Sequence, residues 1–371
     1  MKKILSLNNF LARKPLYYDF IDNNRIKYAY NIVKTHIKKL PYIIHIVGTN
    51  GKGTTGRFLA HYLYKIDFKV LHYSSPHILR FNERIWINGS NIDDNSLEIT
   101  HQKLQNILSY DMLDNLTYFE YTTLLALILS SSLDYLILEA GLGGEFDATN
   151  VVKNDLSLIT PIDFDHQDFL GNTIEQIATT KLRSCDTKMI VNTQKYDEVY
   201  KIASNFNYTK VKQFNTSFLN HLPSYLLQNL QLSLSALEYL NIDINMKLFQ
   251  DIEFFGRCQK IRDNIIIDVG HNPLAARVLK EYFISQNKKT YLVYNSFSNK
   301  DYKQVLNILK PIINEIYIIN IKDDRIVSYD ILISVCKQLN IKVSNFNKID
   351  NNKEYLVFGS FSVVENFLNS I

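Results

Sequence analysis

Short apolar runs that end in a polar or glycine-rich cluster recur through the first half of the chain. Stretches of helical spacing, such as residues 54–64 and 121–131, separate them. Apolar strands that alternate with helices are typical of a parallel α/β sheet, whose ligands bind beyond the carboxyl ends of the strands. We therefore expect the polar ends of these runs to lie along one edge of a sheet. The runs are YIIHIVGTNG (42–51), KVLHYSSPH (69–77), DYLILEAGLGG (134–144) and LSLITPIDFDH (156–166).

A second alternation of the same kind begins after about residue 255. Helical spacing separates its strands at residues 273–285 and 302–313. A chain of 371 residues exceeds one comfortable core, so two domains are expected. We predict a larger α/β domain over residues 1–254 and a smaller one over 255–371, with the junction at EFFGRCQ. The later runs are NIIIDVGHNP (264–273), KTYLVYNSF (289–297), EIYIINIK (315–322) and EYLVFGSF (354–361).

Composition and charge narrow the class of protein. A hydrophobic fraction of 46% with 21% charged residues is ordinary for a soluble globular protein. The net charge is only +4 and the basic residues are scattered, which argues against nucleic acid as a partner. The N-terminal apolar run is too short for a signal peptide, and Asp134 and Glu139 interrupt the longest apolar stretch. We expect a cytoplasmic protein with no membrane partner. Its cysteines, Cys185, Cys258 and Cys336, lack the spacing of a zinc site or disulfide framework.

The stretch HIVGTNGKGTTGRF (45–58) places a glycine-rich loop after an apolar strand. Its spacing is shorter than that of the common P-loop. Backbone N–H groups of Gly51, Gly53 and Thr54 are expected to converge on an anion at a helix N-terminus. Lys52 would then face the β- and γ-phosphates of a nucleotide, and Thr54 would reach Mg²⁺. The alternative is a glycine-rich turn without a ligand.

Glu139 ends the strand in LILEAGLGGEFDATN (136–150), where an unpaired carboxylate would be costly. A carboxylate one strand away from a phosphate loop is well placed to bind the Mg²⁺ of a nucleotide. The alternative is a buried glutamate paired with a basic residue.

His166 follows another strand and sits among Asp163, Asp165 and Asp168. A lone histidine in such a position is more often structural, and the neighbouring acids favour a ligand. Lys181 closes the same stretch, and from its own residues alone we interpret it as a solvated helix lysine.

Two further strand ends carry chemistry that allows more than one interpretation. HYSSPHILRFNERIWING (72–89) combines arginines with aromatic residues, which suits a flat anionic ligand or ordinary loop packing. In the second domain Asp268 is placed to bind a ribose, and Arg257 to approach a phosphate. Asp268 is equally suited to be a helix N-cap before Asn272 and Pro273.

Seven segments together closely resemble the folylpolyglutamate synthase and dihydrofolate synthase family of the Mur ligase superfamily. The resemblance covers nearly the whole chain, and GTNGKGTT and LGGEFDATN are its most specific parts. Shorter echoes are SNKD (298–301) and FGSF (358–361). The segments are GTNGKGTT (48–55), SSPHILRFNERI (74–85), TYFEYTTLLAL (117–127), LEAGLGGEFDATN (138–150), DFDHQDFLGNTIEQIATTK (163–181), GRCQ (256–259) and DVGHNP (268–273).

The resemblance implies the Mur ligase architecture: a P-loop-containing parallel-sheet ATPase domain followed by a smaller Rossmann-like α/β domain. It implies an ATP-dependent ligase that adds L-glutamate to dihydropteroate and to folate or tetrahydrofolate through an acyl phosphate. ATP and Mg²⁺, at two sites, are the implied cofactors, and a monomer is the implied state.

The resemblance also assigns roles to individual residues. Lys52, Lys181 and His271 are implied in catalysis, and Lys181 matches a lysine that the family carbamylates. The residues implied for ATP are Asn50, Gly51, Lys52, Gly53, Thr54, Asn229, Arg257 and Asp268. Those implied for metal are Thr54, Ser75, Glu139, His166 and Lys181. Those implied for the folate are Arg25, Phe119, Phe146, Asp147 and Ala148.

The chain departs from the family pattern in two places. Thr180 precedes Lys181 and LRSCD follows it, where the family has Glu-Lys-Ala-Gly-Ile. The segment YYDFIDNNRIKYAYNI (17–32) keeps Arg25 of a pattern that normally carries glycine and leucine, whereas TYFEY is typical of bifunctional members. Four alternatives therefore stay open: a folylpolyglutamate synthase only, a Mur-type ligase on a cell-wall precursor, a non-catalytic ATP-binding switch and an inactive paralogue.

Overall fold

The computed structural model describes residues 5–15, 23–219 and 222–371. These residues divide into two compact units, Met1–Leu219 with Leu226–Ile252 and Asn220–Tyr225 with Glu253–Ile371. Both units are built on a mainly parallel sheet, which confirms the α/β fold class. No helix in the described ranges has the length and apolar character needed to cross a membrane.

The first unit contains a sheet of order β4-β3-β2-β5-β1-β6-β7-β8 among its described residues. Pairing is parallel except at β3 and β4. The central strand β1 is buried along residues 43–47, as expected for a strand covered on both faces. The strands of this sheet are β1 (Tyr42–Val47), β2 (Val70–Tyr73), β3 (Ile85–Ile87), β4 (Ser90–Asn91), β5 (Tyr135–Glu139), β6 (Leu156–Ile159), β7 (Met189–Val191) and β8 (Tyr208–Lys210).

The four apolar runs of the first half form the adjacent parallel strands β2, β5, β1 and β6. Their polar ends therefore meet at one edge of the sheet, as predicted. The sequence pattern gave no sign of β3, β4, β7 and β8, which are short and lie outside the four central strands.

Helices of the first unit begin and end where capping residues set their limits. The helix predicted over 54–64 runs from Lys52 to Lys65. The one predicted over 121–131 runs from Tyr118 to Leu129, because Thr117 and Glu120 form a capping box. The α-helices up to residue 239 are α1 (Leu7–Leu11), α2 (Asn23–Val33), α3 (Lys52–Lys65), α4 (Asp94–Ile107), α5 (Tyr110–Asn115), α6 (Tyr118–Leu129), α7 (Gln167–Leu170), α8 (Ile174–Leu182), α9 (Asp197–Ala203) and α10 (Ser224–Tyr239). Short 3₁₀ helices are Lys34–His36, Phe81–Arg84, Ala148–Val151, Ser217–Leu219 and Met246–Phe249.

The second unit carries a sheet of order β13-β12-β11-β14-β10-β9, in which β9 alone of these strands runs antiparallel to its neighbour. The helix predicted over 273–285 has those bounds, since Asn272 caps it and a proline opens it. The helix predicted over 302–313 ends at Leu309 and continues as the 3₁₀ helix Lys310–Ile312. The strands are β9 (Gln259–Arg262), β10 (Ile265–Asp268), β11 (Thr290–Tyr294), β12 (Ile313–Ile318), β13 (Val343–Asn345) and β14 (Tyr355–Phe358). The helices are α11 (Pro273–Ser285), α12 (Tyr302–Leu309), α13 (Tyr329–Gln338) and α14 (Phe361–Leu368).

Candidate active site

The loop between β1 and α3 is shaped by glycine and held by a residue far along the chain. Gly51 has a left-handed backbone with φ 88°, and a Cβ there would collide with the amide oxygen of Asn229. The Asn229 side chain donates to Thr54 Oγ1 at 2.6 Å, and the Thr54 hydroxyl donates to the Gly51 carbonyl at 3.0 Å. Asn229, Gly51 and Thr54 are thus brought together at the start of α3, while Asn50 is half-buried in the loop.

Two lysines converge on one carbonyl group at the start of this loop. The Gly48 oxygen accepts from Lys52 Nζ at 3.3 Å and from Lys181 Nζ at 3.0 Å. Lys181 is only 5% exposed, so its interpretation as a solvated helix lysine is wrong. Residues 141–144, which we call the glycine loop, pack directly on the Lys181 backbone. A Cβ on Gly144 would lie 2.7 Å from the Lys181 carbonyl oxygen.

The surroundings of Lys181 change its ionisation. Burial, together with the positive charge of Lys52, lowers the pKa of Lys181 to about 7, and the carboxylates of Asp165 and Asp147 oppose this shift. At neutral pH a substantial fraction of this amine is therefore neutral and nucleophilic.

Glu139 brings a buried carboxylate to the first turn of α3. Its side chain accepts from the Ser75 N–H at 3.1 Å, which joins the ends of β5 and β2. A Cβ on Gly53 would lie 3.1 Å from Glu139 Oε2, so the glycine leaves space beside the carboxylate. Carboxylate and hydroxyl oxygens are ligands that Mg²⁺ prefers. The carboxylate and this space fit a Mg²⁺ ion bound together with phosphate oxygens.

His166 lies on the loop after β6, in a left-handed conformation with φ 50°. Its side chain is 45% exposed, and its Nε2 is 3.8 Å from Asp165 Oδ2. Across the described ranges, no group of three or more His, Cys, Asp or Glu side chains is arranged to hold a metal ion. A metal here would therefore depend on hydroxyl and phosphate oxygens in addition to carboxylates.

The predicted folate residues lie in different environments. Phe146 is 56% exposed, whereas Ala148 is buried. Phe119 stacks on Tyr73 with a centroid separation of 5.8 Å, and its ring lies 2.7 Å from where a Cβ on Gly141 would be. The Phe119 ring therefore forms one wall beside the glycine loop.

Asp147 and Arg25 are engaged by other parts of the chain. The buried Asp147 carboxylate accepts from the Leu142 N–H at 2.7 Å and from the Thr149 hydroxyl at 2.5 Å. Arg25 Nε is 2.9 Å from Glu120 Oε2, in the capping box of α6. The rest of the predicted dihydropteroate segment before Asn23 lies outside the described residues.

In the second unit Asp268 ends β10 and is buried. It accepts from Gly270 N–H at 2.7 Å, Cys258 N–H at 2.9 Å and the Tyr225 hydroxyl at 3.1 Å. Burial raises the pKa of Asp268, and the positive charge of Arg257 opposes that shift. Asn272, which accepts from Ala275 N–H, is the N-cap of α11, so the interpretation of Asp268 as that cap is wrong.

Arg257 and His271 lie on either side of Asp268 in the sequence. The Arg257 guanidinium lies 5.2 Å from the centre of the Phe361 ring, over its face, and His271 is half-buried at the start of α11. Both residues are thus near the carboxyl end of β10.

Two buried side chains next to this site, those of His45 and Thr149, were not predicted from the sequence. His45 Nε2 lies 2.8 Å from Thr149 Oγ1, which in turn contacts Asp147. The signal was present, because His45 is the one polar residue within the apolar strand YIIHIV apart from its terminal tyrosine. Its partner is 104 residues away, so spacing alone does not identify the contact.

Comparisons with known proteins agree on one family. A family model described as the Mur ligase middle domain matches residues 46–258. The chain is 34% identical to the dihydrofolate synthase/folylpolyglutamate synthase of Haemophilus influenzae, over 88% of each chain. It is also similar to the crystal structure of Helicobacter pylori folylpolyglutamate synthetase, with a TM-score of 0.81 and 37% identity over 98% of this chain and 97% of that one.

A further similar structure carries ligands. The bifunctional folylpolyglutamate synthase/dihydrofolate synthase of Yersinia pestis, complexed with AMPPNP and Mn ion, matches with a TM-score of 0.84. It is 26% identical over 98% of this chain and 96% of that one. The family resemblance predicted from the motifs is thereby confirmed. The chain belongs to the dihydrofolate synthase/folylpolyglutamate synthase family of Mur ligases, which are ATP-dependent ligases.

Proposed function

We propose that this protein joins L-glutamate to dihydropteroate and, in a second activity, to tetrahydrofolate and related reduced folates. A carboxylate is a poor acyl donor, so ATP first phosphorylates it to an acyl phosphate. The glutamate amine then attacks the acyl carbon, and phosphate leaves as the amide bond forms. The observation that carries the proposal is the convergence of Lys52 and Lys181 on the Gly48 carbonyl beside the buried Glu139.

Charge neutralisation and positioning supply most of the rate of such a phosphoryl transfer. Backbone N–H groups of Gly51, Gly53 and Thr54 face the phosphates at the N-terminus of α3. Lys52 neutralises charge on the transferring phosphate, and Asn229 keeps the Thr54 hydroxyl in place through its 2.6 Å hydrogen bond.

Metal ions complete this site. We assign Thr54, Ser75 and Glu139 to one Mg²⁺, and His166 with Lys181 to a second. Bound Mg²⁺ supplies positive charge to the phosphate oxygens. We assign Lys181 a carbamate, because its amine is buried with a pKa of about 7. The neutral amine adds to carbon dioxide and a proton is released, which makes the side chain an anionic oxygen ligand.

The remaining assignments follow the family roles. Phe119, Phe146, Asp147 and Ala148 are proposed to contact the folate, and Asp147 also shapes the loop that carries Phe146 and Ala148. Arg25 is proposed to act through Glu120, whose capping box begins α6 next to Phe119.

Residues 255–371 are proposed as the C-terminal domain and 1–254 as the ATP- and folate-binding domain. In the former, Arg257 and Asp268 are assigned to ATP and His271 to the incoming glutamate. The protein is proposed to be a monomer.

The test is ADP release with Mg-ATP and L-glutamate, offering 7,8-dihydropteroate in one reaction and tetrahydrofolate in another. Glutamate-dependent turnover in both establishes the bifunctional ligase. Turnover with tetrahydrofolate alone reduces the assignment to a folylpolyglutamate synthase. ATP binding without turnover in either reaction contradicts the proposal and favours the inactive paralogue or the switch. The intact mass in bicarbonate buffer, compared with that of Lys181→Ala, tests the carbamate.

A further inference from the structure

The strand β1 and the glycine loop are connected beneath the site by a chain of buried polar side chains. His45 is 1% exposed, Thr149 1% and Asp147 8%. His45 Nε2 lies 2.8 Å from Thr149 Oγ1, and that oxygen lies 2.5 Å from Asp147 Oδ1. Buried polar groups linked in this way are held in a fixed geometry, since breaking any link leaves a desolvated group without its partner.

The direction of these hydrogen bonds follows from what each group can donate. An ionised carboxylate only accepts, so the Thr149 hydroxyl donates its one proton to Asp147. The hydroxyl therefore accepts from His45, and the imidazole must carry its proton on Nε2. Burial lowers the pKa of His45 to about 4, which keeps the ring neutral and preserves this arrangement at physiological pH.

Asp147 connects the buried side chains His45 and Thr149 to the glycine loop. Backbone N–H groups of Leu142 and Thr149 donate to it at 2.7 and 2.9 Å, which closes the glycine loop. The loop that it closes packs on the backbone of Lys181, because a Cβ on Gly144 would lie 2.7 Å from the Lys181 carbonyl oxygen. The hydroxyl of Thr149 adds a third, side-chain contact that fixes the rotation of the carboxylate.

We propose that His45 and Thr149 are positioning residues of the ligase: they hold the Asp147 carboxylate and, through its bond to the Leu142 N–H, keep residues 141–144 packed on Lys181. Neither residue reaches the reacting atoms. Lys181 is assigned to the metal at the transferring phosphate, so its placement affects the transition state more than ground-state binding. This inference rests on the proposed function.

Matched substitutions test it. Thr149→Val keeps the shape and backbone N–H but removes the hydroxyl, and Thr149→Ser restores the hydroxyl. His45→Met removes the ring donor, while His45→Gln keeps an N–H near the position of Nε2. In the ADP-release assay we expect Thr149→Val and His45→Met to lower kcat roughly 10- to 100-fold with little change in KM for ATP. Thr149→Ser and His45→Gln should recover most of that loss.

A kcat unchanged in Thr149→Val overturns the proposal, as does a serine variant no better than the valine variant. A fall in thermal stability with kcat preserved also overturns it, since that result describes packing alone. If Thr149→Val does not fold, the His45→Met and His45→Gln pair decides the question by the same comparison.

Histidine NMR on the nitrogen-labelled, unaltered protein gives a readout without turnover. We expect the His45 ring to be neutral with its proton on Nε2, and a proton on Nδ1 overturns the proposed chain. Failure of the proposed function would appear instead as an unaltered protein that turns over neither dihydropteroate nor tetrahydrofolate. The NMR result does not depend on turnover, so the two failures are distinguishable.

Discussion

Two buried histidines in the same sheet, His45 on β1 and His72 on β2, lie in opposite circumstances. Each is 1% exposed. The Nε2 of His45 is bonded to Thr149 and only its Nδ1 is buried without a partner, whereas both ring nitrogens of His72 are buried without a hydrogen-bond partner among the described residues. The His72 ring occupies the space left by Gly56 on α3, where a Cβ would collide with its Nε2.

The comparison shows that burial of a polar side chain does not by itself indicate a role in turnover. A buried polar side chain costs free energy in both places, because water no longer solvates it. At His45 that cost accompanies a connection through Thr149 to Asp147, which closes the loop that packs on Lys181. At His72 burial, together with the positive charge of Arg57, holds the pKa of His72 well below its usual value. We therefore expect changes near His45 to affect turnover and changes at His72 to affect stability.

The largest effect is expected at Lys52, in the loop between β1 and α3. Lys52→Ala should lower kcat by about 10³-fold or more, because charge on the transferring phosphate loses its main cation. The fold should persist, which thermal unfolding checks. Lys65→Ala is the matched control, since Lys65 ends the same helix and forms a surface ion pair with Asp251. Near-normal turnover in Lys52→Ala would remove the phosphate role from this loop.

The pH dependence of stability should show the cost of burying His45. Its pKa is about 4 in the folded protein and about 6.5 when unfolded, so the unfolded state binds the proton more readily. The unfolding free energy is therefore retained above pH ~6.5 and lost as the pH falls toward 4, by up to about 3 kcal/mol from this group.

Urea unfolding across this pH range, for the unaltered protein and His45→Gln, measures that contribution as a difference. The variant should show the shallower decline toward low pH. Parallel curves would mean that His45 is protonated in the folded protein, contrary to a neutral buried ring.

A smaller effect is expected at Glu139, on the same face of the sheet as His72 but at the strand end. Glu139→Gln should raise the Mg²⁺ concentration needed for half-maximal turnover by roughly tenfold or more, because a neutral amide is a weaker ligand than a carboxylate. Glu238→Gln, at an exposed ion pair with Lys212, is the control. An unchanged Mg²⁺ titration would leave Glu139 as a structural carboxylate.

The smallest effect is expected at His72 itself, and it has the opposite sign. His72→Leu should raise the unfolding free energy by about 1 kcal/mol, since an apolar side chain replaces one with two unpartnered nitrogens. Turnover should be unchanged. His45→Leu is the comparison and should destabilise. If His72→Leu also destabilised, the ring would be contributing packing that outweighs its desolvation cost.

The position of the site was predictable from sequence because parallel strands impose it. Alternating apolar runs and helical stretches place all carboxyl ends at one edge, so the loop between β1 and α3 and Glu139 had to be neighbours. The start of α11 was predictable for a local reason, since Asn272 and Pro273 are a capping residue and a helix-opening proline.

The burial of Lys181 and the contacts of Arg25 were not predictable in this way. Helical spacing shows that Lys181 lies on α8 but not that Gly144 approaches its backbone. Arg25 and Glu120 are 95 residues apart, so their ion pair depends on how α2 and α6 pack. Tertiary contacts of this kind leave no periodic signal in the chain.

The Gly48 carbonyl gives the two lysines a common anchor, and this restricts how the protein can change. Any movement of that peptide reaches Lys52 and Lys181 together. A Cβ on Gly48 would collide with the Thr160 side chain, so the anchor admits no other residue without rearrangement. Replacing one lysine would therefore alter the surroundings of the other, and we expect the two positions to change together in evolution.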